Sequence, residues 1–76
     1  MSELIDLLER RLTVIGDAEL RERNPEAQMA QLREVSEAIA AFHERHREEI
    51  PARLNHFLAN ASYGKALDWA RAERES

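Results

Sequence analysis

Residues 24–50 read NPEAQMAQLREVSEAIAAFHERHREEI, and this stretch decides the fold class. Leu32, Val35, Ile39, Phe42 and His46 recur at spacings of three, four, three and four. Each helical residue turns the backbone by about 100°, so the repeat holds these side chains on one stripe of an α-helix. Asn24 is suited to cap the free N–H groups of the first turn, and Pro25 presets φ where no donor is needed. Pro51 ends the run, because a proline pushes its predecessor out of the helical region. The spacing predicts a helix over 25–49, a rod of roughly 37 Å at ~1.5 Å per residue.

Upstream, Leu4, Leu8, Leu12 and Ile15 form a second stripe, with Leu7, Val14 and Ala18 beside it. An apolar face that broad touches more than one neighbour. Ser2 is the candidate N-cap, with Glu3 and Asp6 near the positive end of the helix dipole. Asp17–Arg21 and Glu19–Arg23 are favourable i,i+4 pairs, and the reading is one helix over 3–23, weakest at Gly16. The alternative is a stop at Gly16 with Asp17 recapping a short segment. Asn24-Pro25 is too short a connection for anything but side-by-side, roughly antiparallel helices.

Downstream, Leu54, Phe57, Leu58 and Ala61 share one face of a helix over 52–60. Asn60-Ala61-Ser62 reads as a break, with Ser62 capping a last helix over 63–74 whose stripe is Tyr63, Ala66, Leu67 and Ala70. The alternative is one unbroken helix from Pro51 to Arg74.

Composition supports the same class. Only two glycines and two prolines interrupt 76 residues, and no alternating β-branched run or Asn-Gly turn is present. Charged residues at 34% beside 43% hydrophobic ones indicate amphipathic helices rather than disorder. The expected fold is all-α, 1–76 forming one small antiparallel helical bundle: a long hairpin plus one or two shorter C-terminal helices. A core this small supplies about 3–5 kcal/mol, and without cysteines neither a disulfide nor a Cys-based zinc site can add to it. Completion by dimerisation is therefore expected. The formal charge of −4 disfavours general nucleic-acid binding, which rests on neutralising phosphates. No apolar run suits a signal peptide or approaches the ~20 residues of a membrane span, so no membrane role and a cytoplasmic location are expected.

Chemistry-bearing patterns are few. His43, His46 and Glu49 stand at three-residue spacing, which could form part of a metal site. Against that, His43-Glu44-Arg45-His46 has neither the i,i+4 histidine pair of the metalloproteases nor a Glu-x-x-His, and Arg45 and Arg47 repel cations. The expectation is no metal and no cofactor, with His46 an edge residue of the stripe. Arg10-Arg11, Arg21 with Arg23 and Arg45 with Arg47 are interleaved with acids, as on a solvated helix face. There is no Cys nucleophile, no glycine-rich phosphate loop and no serine in an activating context, so no catalytic residue is assigned.

Two stretches resemble known families. Leu4-Ile5-Asp6-Leu7-Leu8-Glu9-Arg10-Arg11, with Ile15-Gly16 downstream, resembles the first helix of the all-helical chorismate mutases. That resemblance implies a carboxylate-binding arginine, with Arg10 or Arg11 the candidate, although the family's later lysine, glutamate and glutamine have no counterpart. Tyr63-Gly64-Lys65-Ala66-Leu67-Asp68-Trp69-Ala70 is similar to the second helix of a tetratricopeptide repeat, with Phe57 fitting the helix before it. Leu54 and Glu73 stand where that repeat has glycine and alanine, so the likeness implies a local hairpin packed through alanines.

The stripe on the second helix is longer than short partners can cover. Leu32, Val35, Ile39, Phe42, His46, Tyr63 and Trp69 are therefore the expected interface residues. The partner is a second copy, joined through the first two helices into something close to a four-helix core, or a larger protein. The leading function is a small interaction or adaptor protein acting through helix–helix contacts. The alternative is a ligand-binding or enzymatic bundle using interior arginines, as the mutase resemblance implies. A buried polar pocket with at least two arginines would favour the second; a dry, leucine-lined interior would favour the first.

Overall fold

The computed structural model describes residues 2–75, and among these the chain forms five α-helices and no strand. They are α1 (Ser2–Ile15), α2 (Ala18–Arg23), α3 (Pro25–His46), α4 (Ala52–Ala59) and α5 (Tyr63–Glu75). Ser2 is the first helical residue rather than a cap, and the cap position lies outside the described residues.

The expected helix over 3–23 is two helices. Gly16 donates to the Leu12 carbonyl at 2.9 Å and closes α1. The Asp17 carboxylate then accepts from the Leu20 N–H at 2.9 Å and caps α2. A side-chain acceptor placed just after a glycine thus restarts the helix in a new direction. Asn24 ends α2 and begins α3: its N–H donates to the Leu20 carbonyl at 2.8 Å, and its side-chain oxygen accepts from Ala27 at 3.1 Å.

α3 stops at His46, three residues short of the expected end. Pro51 excludes Ile50 from the helix, and the chain has already begun to turn, with the N–H groups of Glu49 and Ile50 both on the His46 carbonyl. At the next break, Ala61 N–H donates to Leu58 O at 3.1 Å and Ser62 N–H to Phe57 O at 2.8 Å. With Asn60 as C-cap, this is the bond pair of a Schellman turn, carried by Ala61 at φ 54°. The break at 60–62 is present, and Ser62 stands at the N-cap position of α5, its carbonyl accepting from Ala66 at 2.9 Å.

α3 packs against α1, α2 and α4, while α1 lies between α3 and α5. Gln28 donates to the Val14 carbonyl at 3.0 Å and Arg45 pairs with Glu3 at 3.1 Å, so α1 and α3 run in opposite directions. One apolar cluster joins Leu4, Ile5 and Leu8 of α1, Val35, Ile39 and Phe42 of α3, Leu54 and Leu58 of α4, and Ala66, Leu67 and Ala70 of α5. Fully burying a residue such as Leu or Ile contributes about 1.5–3 kcal/mol, and Leu4, Ile5 and Leu54 are each 0% exposed. The broad face of α1 does serve two neighbours. α4 packs against α5, and Ala66 and Ala70 of α5 are both buried in the shared core.

The α1 stripe needs one correction. Ile5 is in the core, whereas Leu12 and Ile15 are 46% and 37% exposed. α5 comes back along α1 only as far as Arg11, whose guanidinium lies 4.7 Å from the centre of the Tyr63 ring where α5 begins. Beyond that point the outer side of α1 has no second neighbour to cover it. No helix among the described residues is long and apolar enough to cross a membrane.

Candidate functional site: an end groove

At one end of the molecule the first turn of α1, the last turns of α3, the turn to α4 and the second half of α5 surround an open groove of about 900 Å³. Phe42, Ile50, Pro51 and Trp69 give it apolar walls, and Glu3, Arg45, His46, Glu49 and Glu73 surround them. Chain order explains why. Antiparallel α1 and α3 bring residue 3 beside residue 45. Pro51, extended at φ −61° and ψ 152°, swings the chain away from the end of α3 and leaves Ile50 at the wall.

Asn55, one turn into α4, holds this corner. Its amide nitrogen donates to the carbonyls of Arg47 at 2.9 Å and Ile50 at 3.2 Å. The Arg47 carbonyl belongs to the C-cap of α3, where a helix leaves acceptors unpaired, and the Ile50 carbonyl to the turn that follows. The Asn55 oxygen lies 2.9 Å from His43 Nε2. Because the Asn55 nitrogen is committed to two carbonyls, the oxygen must face the ring, which assigns the proton to His43 Nε2. Sequence reasoning missed Asn55. Its only signal was an amide four residues after a helix-ending proline.

His46 rests on Phe42, with ring centres 4.4 Å apart, and its Nδ1 meets Glu49 Oε2 at 2.7 Å. His43 and His46 thus serve different partners. Among the described residues no group of three His, Cys, Asp or Glu side chains is disposed to hold a metal ion.

The structure separates the seven expected interface residues. Phe42, His46 and Trp69 meet at the groove. Val35 and Ile39 are 1% exposed inside the chain's own core, and Phe42 shows only an edge at 5%. The middle of the stripe is therefore covered by the rest of the same chain. Leu32 and Tyr63 are half-buried at the core's margin, Tyr63 beneath Arg11. The pairing of Glu3 with Arg45, 42 positions apart, carried no local signal at all.

The arginines do not converge inside. No polar or charged residue is buried among the described ones, and the interior is aliphatic apart from Phe42. Arg10 is exposed and Arg11 half-buried against Tyr63. Arg71 is held by Glu9 at 2.7 Å on the α1–α5 face, and Arg45 is the one arginine at the groove. Among the described residues no buried pocket brings together two arginines of the kind that the mutase resemblance implies.

No family model matches the sequence, and no curated protein or solved structure matches it significantly.

Proposed function

We propose that the protein is a small helical interaction module that presents the groove at the α1–α3–α5 end to a protein partner. The observation that carries this reading is the coming together of Trp69, Ile50, Pro51 and the edge of Phe42 on an open concave surface. Aromatic side chains in such a setting are the usual anchors of protein interfaces. The apolar interior of the described residues supports this reading over the ligand-binding alternative. The test is affinity capture from the cell of origin. A partner retained by wild type, and lost with a Trp69→Ala variant of unchanged helicity, supports the reading. Partners indifferent to Trp69, or none at all, overturn it.

Self-association is a second reading, favoured by a different observation. Leu12, Ile15 and Met29 are all exposed, and the Gln28–Val14 bond places the end of α1 beside the start of α3. A two-fold contact there would join two copies through α1 and α3, moved off the buried stripe. Three side chains fall short of the ~800 Å² per partner of a standard interface, so the dimer is expected to be weak. Light scattering after gel filtration should show mass above 8.8 kDa that returns to the monomer value in Met29→Lys. A monomer at all concentrations excludes it.

A further inference from the structure

We propose that α2 is a strap that opens by local unfolding between Gly16 and Asn24 while the core stays folded, and that its opening uncovers Val14 and Leu20 beside the already exposed Leu12, Ile15 and Met29. The core cluster and the side chains packed against it include no residue from 9 to 31. α2 contributes no buried side chain, and its one large apolar residue, Leu20, is half-buried. Val14, just before the break, is 7% exposed yet stands outside that cluster. The corner where α1, α2 and α3 meet therefore has a small apolar contact of its own, separate from the core. None of these residues lines the end groove.

What holds α2 closed is local. The Asp17 carboxylate accepts from the Leu20 N–H at 2.9 Å, and the Asn24 N–H donates to the Leu20 carbonyl at 2.8 Å. Arg23 pairs with Glu19 at 3.1 Å, but the two side chains are 78% and 68% exposed, so the pair adds little. Six residues fall far short of the ~12–15 at which an isolated helix is even marginal in water. Both joints already leave the helical backbone, Asp17 at φ −82° and ψ 85°, Asn24 at φ −151° and ψ 78°. The strap can unwind there without unwinding its neighbours. α1 and α3 keep their own ties, since Gln28 donates to the Val14 carbonyl at 3.0 Å and the Asn24 oxygen still caps Ala27 at 3.1 Å. Segments with few buried contacts are the ones that open on their own.

Hydrogen exchange of the intact chain, read residue by residue by NMR with urea added below the unfolding transition, tests the strap. The amides of Leu20, Arg21 and Asn24 are all hydrogen-bonded in the closed form. They are expected to be at least about tenfold less protected than those of Val35 and Ile39. Their exchange should ignore low urea, whereas that of Val35 and Ile39 should rise with it, because only global unfolding exposes much surface. Asp17→Ala should lower α2 protection roughly a further fivefold and leave Val35 and Ile39 unchanged. Asp17→Asn, which keeps a capping acceptor, should match wild type. The chain has no cysteine, so Val14→Cys supplies a single thiol whose labelling should follow the α2 amides. If α2 shares the protection and urea dependence of Val35 and Ile39, the proposal is overturned, as it is by an equal loss in every helix of Asp17→Ala. Exchange of α2 at the unprotected rate leaves no closed strap and overturns it too. Labelling of the Val14→Cys thiol only at the rate of the Val35 and Ile39 amides shows that Val14 stays covered and overturns the uncovering.

Discussion

Asn55 and His43 face each other at 2.9 Å across the joint between α3 and α4, and the same Asn55 side chain takes two carbonyls from the turn that links them. One amide therefore uses both its donor and its acceptor to fix the corner on which the groove is built. Asn55→Ala removes all three bonds and leaves His43 and the Ile50 carbonyl, both half-buried, short of partners. Such losses cost about 1–3 kcal/mol. Chemical denaturation should show a fall of that size. Trp69 emission should shift as well, since the wall formed by Ile50 and Pro51 is no longer tied to α4. Full retention of stability in Asn55→Ala would mean that the corner is held by the Pro51 turn alone.

Ala61 stands at φ 54°, where an L-residue with a Cβ is strained and glycine is not. Its neighbours use the conformation fully, since both bonds of the turn are formed. Ala61→Gly keeps those bonds and removes the steric term. A gain of about 1 kcal/mol is expected, which for a chain of this size raises Tm by roughly 4–8 °C. Part of the gain is offset because glycine loses more freedom on folding. Thermal unfolding followed by circular dichroism measures the net effect, and a lower Tm would show that the entropy of the unfolded chain outweighs the strain.

How much of this was legible in the sequence depended on whether the signal was local. Asn24-Pro25, Pro51 and the break at 60–62 act on their own neighbours, and each boundary lies within a few residues of its expected place. Gly16-Asp17 was ambiguous because propensity tolerates a glycine inside a helix, whereas capping makes the same pair a restart. The placement of the interface residues was not legible. Val35 and Ile39 look surplus when only the length of the stripe is considered. α1 covers them once the hairpin closes, and α5 then covers the far side of α1. That return of α5 also explains why Ile5 is buried and Leu12 is not. The groove has the same origin: Glu3, Arg45, Glu49, Ile50 and Trp69 come from four separate segments, and only tertiary packing gathers them.

The division of α1 into a sandwiched half and an uncovered half makes a prediction that does not depend on function. Ile5 is 0% exposed, with α3 on one side of its helix and α5 on the other. Leu12, seven residues on and two helical turns away on the same broad face, is 46% exposed. Truncating a buried isoleucine to alanine removes its transfer free energy and leaves a cavity, together about 2–5 kcal/mol. That is comparable to the ~3–5 kcal/mol available to a core of this size. Ile5→Ala should therefore be largely unfolded at 25 °C, or at least lose most of its denaturant midpoint. Leu12→Ala should stay within about 0.5 kcal/mol of wild type, as surface substitutions do, and alanine's higher helix propensity favours it. Urea titrations of the two variants compare them directly. Equal destabilisation would mean that the outer face of Leu12 is covered in solution, and the surface available for that is a second copy docked at Ile15 and Met29. In that case the Leu12→Ala penalty should grow with protein concentration, because dissociation precedes unfolding.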